Sequence, residues 1–161
     1  MRSPTARSAI LAFLAAGQAS AVEEKITISD MTIHRIKSSA GDRIPKVSFR
    51  LSGARANGQL CEATDIAWPE TEPSLPCGST GYSFLLLPGE FGAPAEEAKE
   101  FGLMIYHDVR DRKADLRGWV NVDAVCKMVD DAAETCTLEG PIQETIDGPV
   151  ASLWGWVFGD L

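Results

Sequence analysis

Hydrophobic and polar residues alternate with a period of two along much of this chain, which is the pattern of half-buried β-strands. The alternation is clearest where polar residues separate Val47, Phe49 and Leu51. Another segment begins in the same way but shifts phase near Asp30, and a β-bulge would explain that shift. The strands predicted by these patterns comprise residues 25–36, 45–52, 60–68, 81–87, 101–109, 116–122, 134–142 and 150–158.

The segments between the predicted strands are short and rich in turn-forming residues. Three prolines prevent residues 69–77 from forming a helix or a central strand, so we expect a loop there. Residues 95–98 are strong helix formers, and this region is expected to be irregular or to form one short helix. The strands at residues 101–109 and 116–122 are expected to form a hairpin. Many short strands between frequent turns indicate an all-β fold, a single compact antiparallel β-barrel or sandwich.

The N-terminus has the features of a secretory signal peptide. Two arginines make the start positive, residues 9–17 are apolar, and residues 19–21 (Ala-Ser-Ala) offer the small-x-small pattern that signal peptidase needs. The apolar run is too short to cross a bilayer core of about 30 Å, which argues against a membrane anchor. We therefore predict a signal peptide at residues 1–21 and one secreted, extracellular β domain at residues 22–161, with no membrane partner.

The charge balance narrows the class of partner. The chain has 161 residues with 15 Lys and Arg against 23 Asp and Glu, a formal net charge of −8. Cleavage of the signal would remove Arg2 and Arg7 and no acidic residue, which makes the mature domain still more acidic. Affinity for nucleic acid comes mostly from clustered Lys and Arg, so nucleic acid is not an expected partner.

The four cysteines are expected to form two disulfides, because an even number of Cys in a short secreted chain is typical of a disulfide framework. Four Cys allow three pairings, and the sequence does not choose strictly among them. The spacing falls into two local pairs, which favours Cys61–Cys77 and Cys126–Cys136. The CxxC-type spacing of zinc sites is absent, so no metal is predicted.

Several short segments around these cysteines follow one another in a recognisable order. They are the leader, Ile26-Thr27-Ile28-Ser29, Val47-Ser48-Phe49-Arg50-Leu51, Cys61-Glu62-Ala63, Pro76-Cys77-Gly78, Cys126 and Cys136-Thr137-Leu138. This order of cysteines and strands, over most of residues 24–153, resembles the Alternaria major allergen family of small secreted fungal proteins.

The resemblance implies a compact antiparallel β-barrel with the same two local disulfides. It also implies membership among allergens, elicitors of plant defence and effector-like proteins, which look non-enzymatic. The best-known allergen of the family has an additional N-terminal Cys that links two subunits, and the mature chain has no fifth Cys. A covalent dimer is therefore not expected, whereas a non-covalent dimer stays open.

Residues suited to catalysis are few. His107 and Asp108, with Asp111 nearby, place a base beside carboxylates, as acid–base catalysis or metal binding would require. Because arginines and a lysine are interleaved with them in a predicted turn, we interpret this run as a solvated cluster of paired charges. His34 has no neighbour that marks it as a ligand or base and is expected at the surface. The GxSxG, HExxH and P-loop motifs are missing, so no catalytic residue and no cofactor are predicted.

Two acidic groups are candidates for calcium ligands. They are Glu96, Glu97 and Glu100, and Asp130, Asp131 and Glu134. Neither has the spacing of an EF-hand loop, so both are interpreted as solvated acidic loops.

The C-terminus carries the main candidate for an interaction surface. Trp154, Trp156 and Phe158 recur with a period of two and would form one broad apolar stripe. Such a stripe either lines the core of the barrel or, if exposed, marks an interface, because Trp is favoured at binding hot spots. Trp68 and Trp119 are expected in the core or at its rim.

Three classes of function follow. The leading hypothesis is a secreted, non-enzymatic fungal effector or elicitor that binds a host extracellular protein. The second is a carrier whose β-barrel holds a small apolar ligand, which would require a sizeable apolar cavity. The third is an extracellular hydrolase, which would require His107 or His34 to meet a carboxylate in a cleft.

Overall fold

The computed structural model describes residues 23–69, 74–91, 96, 99–108 and 116–147 of the chain. Within these ranges the strands are β1 (Glu23–Ile36), β2 (Arg43–Gly53), β3 (Ala56–Ala67), β4 (Leu75–Pro76), β5 (Tyr82–Pro88), β6 (Phe101–His107), β7 (Leu116–Val122), β8 (Ala124–Met128), β9 (Ala133–Leu138) and β10 (Ile142–Asp147). A short 3-10 turn at Gly89–Phe91 follows β5. Among the described residues, no helix has the length and apolar character that a membrane span needs.

The strands form two antiparallel sheets that pack against each other. In the first sheet the order is β3-β2-β1-β9-β8, and β10 also pairs with β1; in the second the order is β4-β5-β6-β7. β10 packs against β7 where Ile146 covers Gly118, but the described strands do not close into one continuous barrel. The predicted all-β class is confirmed.

β1 is the central strand of the first sheet and contains the predicted bulge. Along one edge it pairs with β2; along the other it pairs first with β10 and then with β9. The register with β2 shifts between Ser29 and Thr32, where Asp30 has a φ of 52°. The extra residue lets Ile28 before the bulge and Met31 after it both enter the core, which explains the phase shift in the sequence.

The core lies between the two sheets and is formed by the residues whose alternation predicted the strands. Val47, Phe49 and Leu51 of β2 are fully buried. The ring of Phe49 meets Phe84 of β5 edge to face, with 4.9 Å between the ring centroids. Each side chain of this size stabilises the fold by about 1.5–3 kcal/mol when it is fully buried.

The two local disulfides are both present. The Cys61–Cys77 bond joins β3 to the residue after β4, and so links an edge of the first sheet to the second sheet. The Cys126–Cys136 bond joins directly opposed residues of β8 and β9. No described cysteine is free.

Other predicted elements had different outcomes. The hairpin of β6 and β7 is confirmed. The strand predicted over residues 134–142 is confirmed for residues 134–138, which lie in β9, but it ends earlier than predicted because β10 is a separate strand from Ile142 onward. The sequence pattern does not predict β8, which forms a hairpin with β9. Most side chains of β8 are exposed, so this edge strand lacks an apolar alternation that would reveal it. The predicted strand at residues 150–158 and all of residues 95–98 except Glu96 lie outside the described residues.

Candidate functional site

Arg35, near the end of β1, is the centre of a charged cluster at the side of the fold. Its phase in the strand is that of the buried Ile33, so the guanidinium points inward and the side chain is only 12 % exposed. It forms ion pairs with Asp42 at 2.9 Å, with Glu100, and with Glu134 at 3.4 Å. Three carboxylates therefore surround one buried cation.

Burial of Arg35 by itself lowers the pKa of its guanidinium, but the contacts with Glu100 and Asp42 together raise it above its ordinary value. The guanidinium also lies over the ring of Phe101, 5.8 Å from the ring centroid, within the range of a cation–π contact. Glu134, which is 5 % exposed, has a second cation partner in Lys37 at 2.9 Å. The cluster is thus rich in carboxylates.

A groove of about 410 Å³ opens beside this cluster. It is lined by Arg35, Trp68, Pro88, Gly89, Glu90, Lys99 and Glu100. Trp68 is half-buried and packs against Phe101, with 5.4 Å between ring centroids. The volume lies within the range of about 300–1,000 Å³ that is usual for ligand sites. We refer to it as the Arg35–Trp68 groove.

A second cluster lies inside the fold, where Glu24 of β1 meets Tyr82 of β5 and His107 of β6. The Glu24 carboxylate accepts hydrogen bonds from the Tyr82 hydroxyl, from the Ala54 N–H at 2.8 Å, and from His107 Nδ1 at 2.6 Å. The rings of Tyr82 and His107 stack with 3.9 Å between their centroids. One carboxylate therefore ties the start of β1 to the second sheet.

The close contacts in this cluster affect its titration. Burial by itself raises the pKa of Glu24, but hydrogen bonds from Tyr82, Ala54 and His107 outweigh it and lower the pKa below its ordinary value. Burial, together with the adjacent Glu24 carboxylate, raises the pKa of Tyr82. A side chain at Gly53 would collide with both the Tyr82 hydroxyl and the Glu24 carboxylate, so only glycine fits there.

The buried cluster is not arranged for catalysis. His107 is 1 % exposed, and its second ring nitrogen, Nε2, is buried and has no hydrogen-bond partner among the described residues. A general base must come within hydrogen-bond reach of its substrate, and solvent-sized molecules do not reach this nitrogen. The arrangement instead stabilises the junction between the sheets.

The interpretation of His107 as part of a solvated charge cluster is wrong. The local charge pattern around His107 does not reveal that this residue is buried, because the carboxylate that binds it belongs to Glu24, 83 residues away. Asp108 is exposed, and Asp111 lies outside the described residues. His34 is exposed as expected, with its Nδ1 3.1 Å from the Thr135 hydroxyl.

Two of the acidic residues that are candidates for calcium binding, Asp130 and Glu134, have structural roles. Asp130 accepts hydrogen bonds from the N–H groups of Ala132 and Ala133, which stabilises the turn between β8 and β9. Glu134 is not solvated as expected, because it is buried against Arg35. Glu96 and Glu100 are exposed, and Glu97 lies outside the described residues.

One group with potential metal ligands occurs among the described residues. It consists of Cys126, Glu134 and Cys136. Both sulfurs are joined in a disulfide and are not available as thiolate ligands. The group therefore has no metal-binding chemistry in the oxidised protein.

The sequence pattern singles out His107 and Glu100 and expects Trp68 in the core or at its rim, but it does not bring them together in a groove or a buried cluster, and it does not identify Glu24 or Arg35. The predicted interaction surface, formed by Trp154, Trp156 and Phe158, lies outside the described residues. A usable signal was nevertheless present in β1: Glu24 shares the inward phase of Ile26, and Arg35 shares that of Ile33. A charged residue in the buried phase of a strand indicates a partner contributed by another part of the fold.

Comparison with known proteins gives one family and one fold. The sequence profile of the family described as Alternaria alternata allergen 1 matches residues 28–140. The effector protein PevD1 of Verticillium dahliae is 33 % identical over 86 residues, and the same match is found for the protein of strain VdLs.17. The match covers 53 % of this chain and 48 % of the relative, so it spans about half the length of these curated relatives.

Solved structures agree with the architecture. A crystal structure of the Alternaria alternata major allergen alt a 1 has a TM-score of 0.51 and 15 % identity, covering 80 % of this chain and 96 % of the allergen chain. Another crystal structure of Alternaria alternata allergen Alt a 1 has a TM-score of 0.50 and 14 % identity. The match covers 78 % of this chain and 87 % of the allergen chain. At this level of identity the likeness shows a common fold.

Proposed function

Because the chain belongs to the Alternaria alternata allergen 1 family, we propose that it is a secreted, non-enzymatic effector-like protein that binds an extracellular protein of a host. The observation that carries the proposal is the match of the family profile to residues 28–140, which include most of both sheets. The relative named as an effector supports the same class of function.

Secretion is supported by features of the sequence and by the bonding of the cysteines. The first 21 residues read as a signal peptide, and both cysteine pairs are oxidised. Disulfides persist in oxidising compartments such as the extracellular space. When the protein is produced in an expression system that secretes it, N-terminal sequencing should show that the mature protein begins at Val22. Retention of Met1 in the purified product would contradict the proposal.

The non-enzymatic part rests on the environment of the two histidines. His107 meets a carboxylate, as a hydrolase would require, but it does so in the core and not in a cleft. His34 is exposed and its described partner is the hydroxyl of Thr135. The carrier alternative needs an apolar cavity, whereas four charged side chains line the Arg35–Trp68 groove.

The experiment is infiltration of the purified mature protein, with both disulfides intact, into plant leaf tissue. We expect a defence response, measured as an oxidative burst, and capture of a specific protein from the apoplastic extract by immobilised protein. Reduced and alkylated protein is the control, since it lacks the two disulfides that stabilise the native fold. No response and no captured protein would contradict the proposal, as would hydrolysis of a substrate that requires His107.

A further inference from the structure

The Arg35–Trp68 groove combines an aromatic wall with a surplus of carboxylates. Trp68 packs against Phe101 and lines the groove together with Glu90 and Glu100. An indole face and carboxylates are the two groups that attract an ammonium or guanidinium ion. The lining therefore has the chemistry of a site for an organic cation.

The cations already in the groove do not reverse its charge. Arg35 is neutralised by three carboxylates, as described above, and its net surroundings are negative. Lys99 lies 3.1 Å from Asp123. Glu90 is exposed, and no described residue forms an ion pair with it.

Counting the groove with its direct ion-pair partners leaves more negative than positive charge. The carboxylates are Asp42, Glu90, Glu100, Asp123 and Glu134, and the cations are Arg35, Lys37 and Lys99. An anionic ligand would have to displace carboxylates that already hold both lining cations. A cationic ligand would instead find an open carboxylate at Glu90 and the ring of Trp68.

We infer that the Arg35–Trp68 groove binds a lysine or arginine side chain within a basic segment of the partner, an inference that rests on the proposed function. The acidic balance of the whole chain favours the same partner, because complementary charge speeds encounter and selects among partners. The groove is large enough for one long side chain and part of the backbone that carries it. The Glu90 carboxylate forms an ion pair with the ammonium or guanidinium group of the bound side chain. The indole ring of Trp68 forms a cation–π contact with the same group.

The test measures binding of a fluorescein-labelled hexa-arginine peptide to the mature protein by fluorescence anisotropy at low salt. Glu90→Gln should weaken binding by about threefold to tenfold, since it removes one charged contact at the site. Glu144→Gln is the matched control, because it removes the same charge from an exposed position on β10 and should leave binding almost unchanged. A labelled hexa-glutamate peptide should not bind.

The contribution of the ring is tested separately. Trp68→Leu should weaken binding by about twofold to fivefold, the size of an exposed cation–π contact, whereas Trp68→Phe should retain most of the affinity. Circular dichroism of each variant confirms the fold, and Glu90→Gln keeps the test informative if Trp68→Leu fails to fold. Equal losses for Glu90→Gln and Glu144→Gln would show only non-specific attraction and would overturn the inference.

Two further comparisons complete the test. One distinguishes a protein side chain from a small polyamine as the bound cation, and the other distinguishes failure of the groove inference from failure of the proposed function. If spermidine displaces the hexa-arginine peptide and binds with an affinity equal to or higher than that of the peptide, the groove is a site for a small polyamine and the inference is overturned. If the wild type induces defence but Glu90→Gln does not change peptide binding, the groove inference fails and the proposed function stands. If the wild type induces no response and captures no protein, the proposed function fails whatever the peptide does.

Discussion

Replacement of Glu24 by alanine is the sharpest test of how the two sheets are held together. The change removes a carboxylate that is 10 % exposed and accepts three hydrogen bonds. The N–H of Ala54 can form a hydrogen bond with water instead, because Ala54 is exposed. The Tyr82 hydroxyl and His107 Nδ1 cannot do so, because both side chains are buried.

The expected loss follows from these two stranded groups. Leaving one buried donor unsatisfied costs about 1–3 kcal/mol, so two stranded donors cost about 2–6 kcal/mol together. We therefore expect Glu24→Ala to lower the free energy of unfolding by about 2–6 kcal/mol. This is a large part of the roughly 5–15 kcal/mol that stabilises a typical domain.

The assay is urea unfolding of the mature protein followed by tryptophan fluorescence, with both disulfides intact. With a urea m-value of about 2 kcal/mol/M, the midpoint of Glu24→Ala should fall by about 2 M. Glu62→Ala is the control, since Glu62 is half-exposed and its contact with Lys46 at 3.4 Å is a surface pair that contributes about 0–1 kcal/mol.

A double-mutant cycle identifies the contact responsible. Glu24→Ala and Tyr82→Phe, alone and combined, should give a coupling energy of at least about 1 kcal/mol, because their hydroxyl–carboxylate contact is direct. A loss below about 1 kcal/mol for Glu24→Ala, or no coupling in the cycle, would refute the reasoning that this cluster joins the sheets.

Three other predictions concern pH, disulfides and packing. Because hydrogen bonds hold the folded-state pKa of Glu24 below its ordinary 4.5 despite burial, its stabilisation is complete above that value and is lost as pH falls through the lowered pKa. Urea midpoints should therefore drop more steeply on acidification for the wild type than for Glu24→Gln, and parallel curves would contradict this. Reduction should lower the melting temperature markedly, since each bond contributes about 2–3 kcal/mol. Mass mapping of non-reduced peptides should join Cys61 to Cys77, and a Cys61–Cys126 peptide would contradict the structure. Gly102→Ala should cost about 1–3 kcal/mol, because a side chain there collides with the ring of Trp119, whereas Gly140→Ala, which meets open space, should change stability little in the same unfolding assay.

The strands could be read from the sequence wherever one face is buried and the other is not. Val47, Phe49 and Leu51 have this pattern, and the phase shift near Asp30 correctly located the bulge. The sequence does not predict β8, because both of its faces are largely exposed and its apolar and polar residues therefore do not alternate. Ile36 at the end of β1 is apolar but exposed, since Arg35 occupies the inward position beside it.

The candidate sites are formed by residues that lie far apart in the chain. Glu24 is 58 residues from Tyr82, and Arg35 is 65 residues from Glu100. Periodicity reports only whether a residue faces inward, and does not identify which strand lies opposite. A sequence pattern could therefore mark Glu24 and Arg35 as inward charges without naming their partners.

The sequence by itself determined the all-β class, the acidic balance and the local spacing of the cysteines, because each depends on composition or on neighbours in the chain. The tertiary structure decided that His107 is buried against Glu24 and that Trp68 and Glu90 line one groove with Arg35. The physical reason is that sheet order and packing bring together strands that are distant in sequence. The chemistry of both sites arises only from that packing.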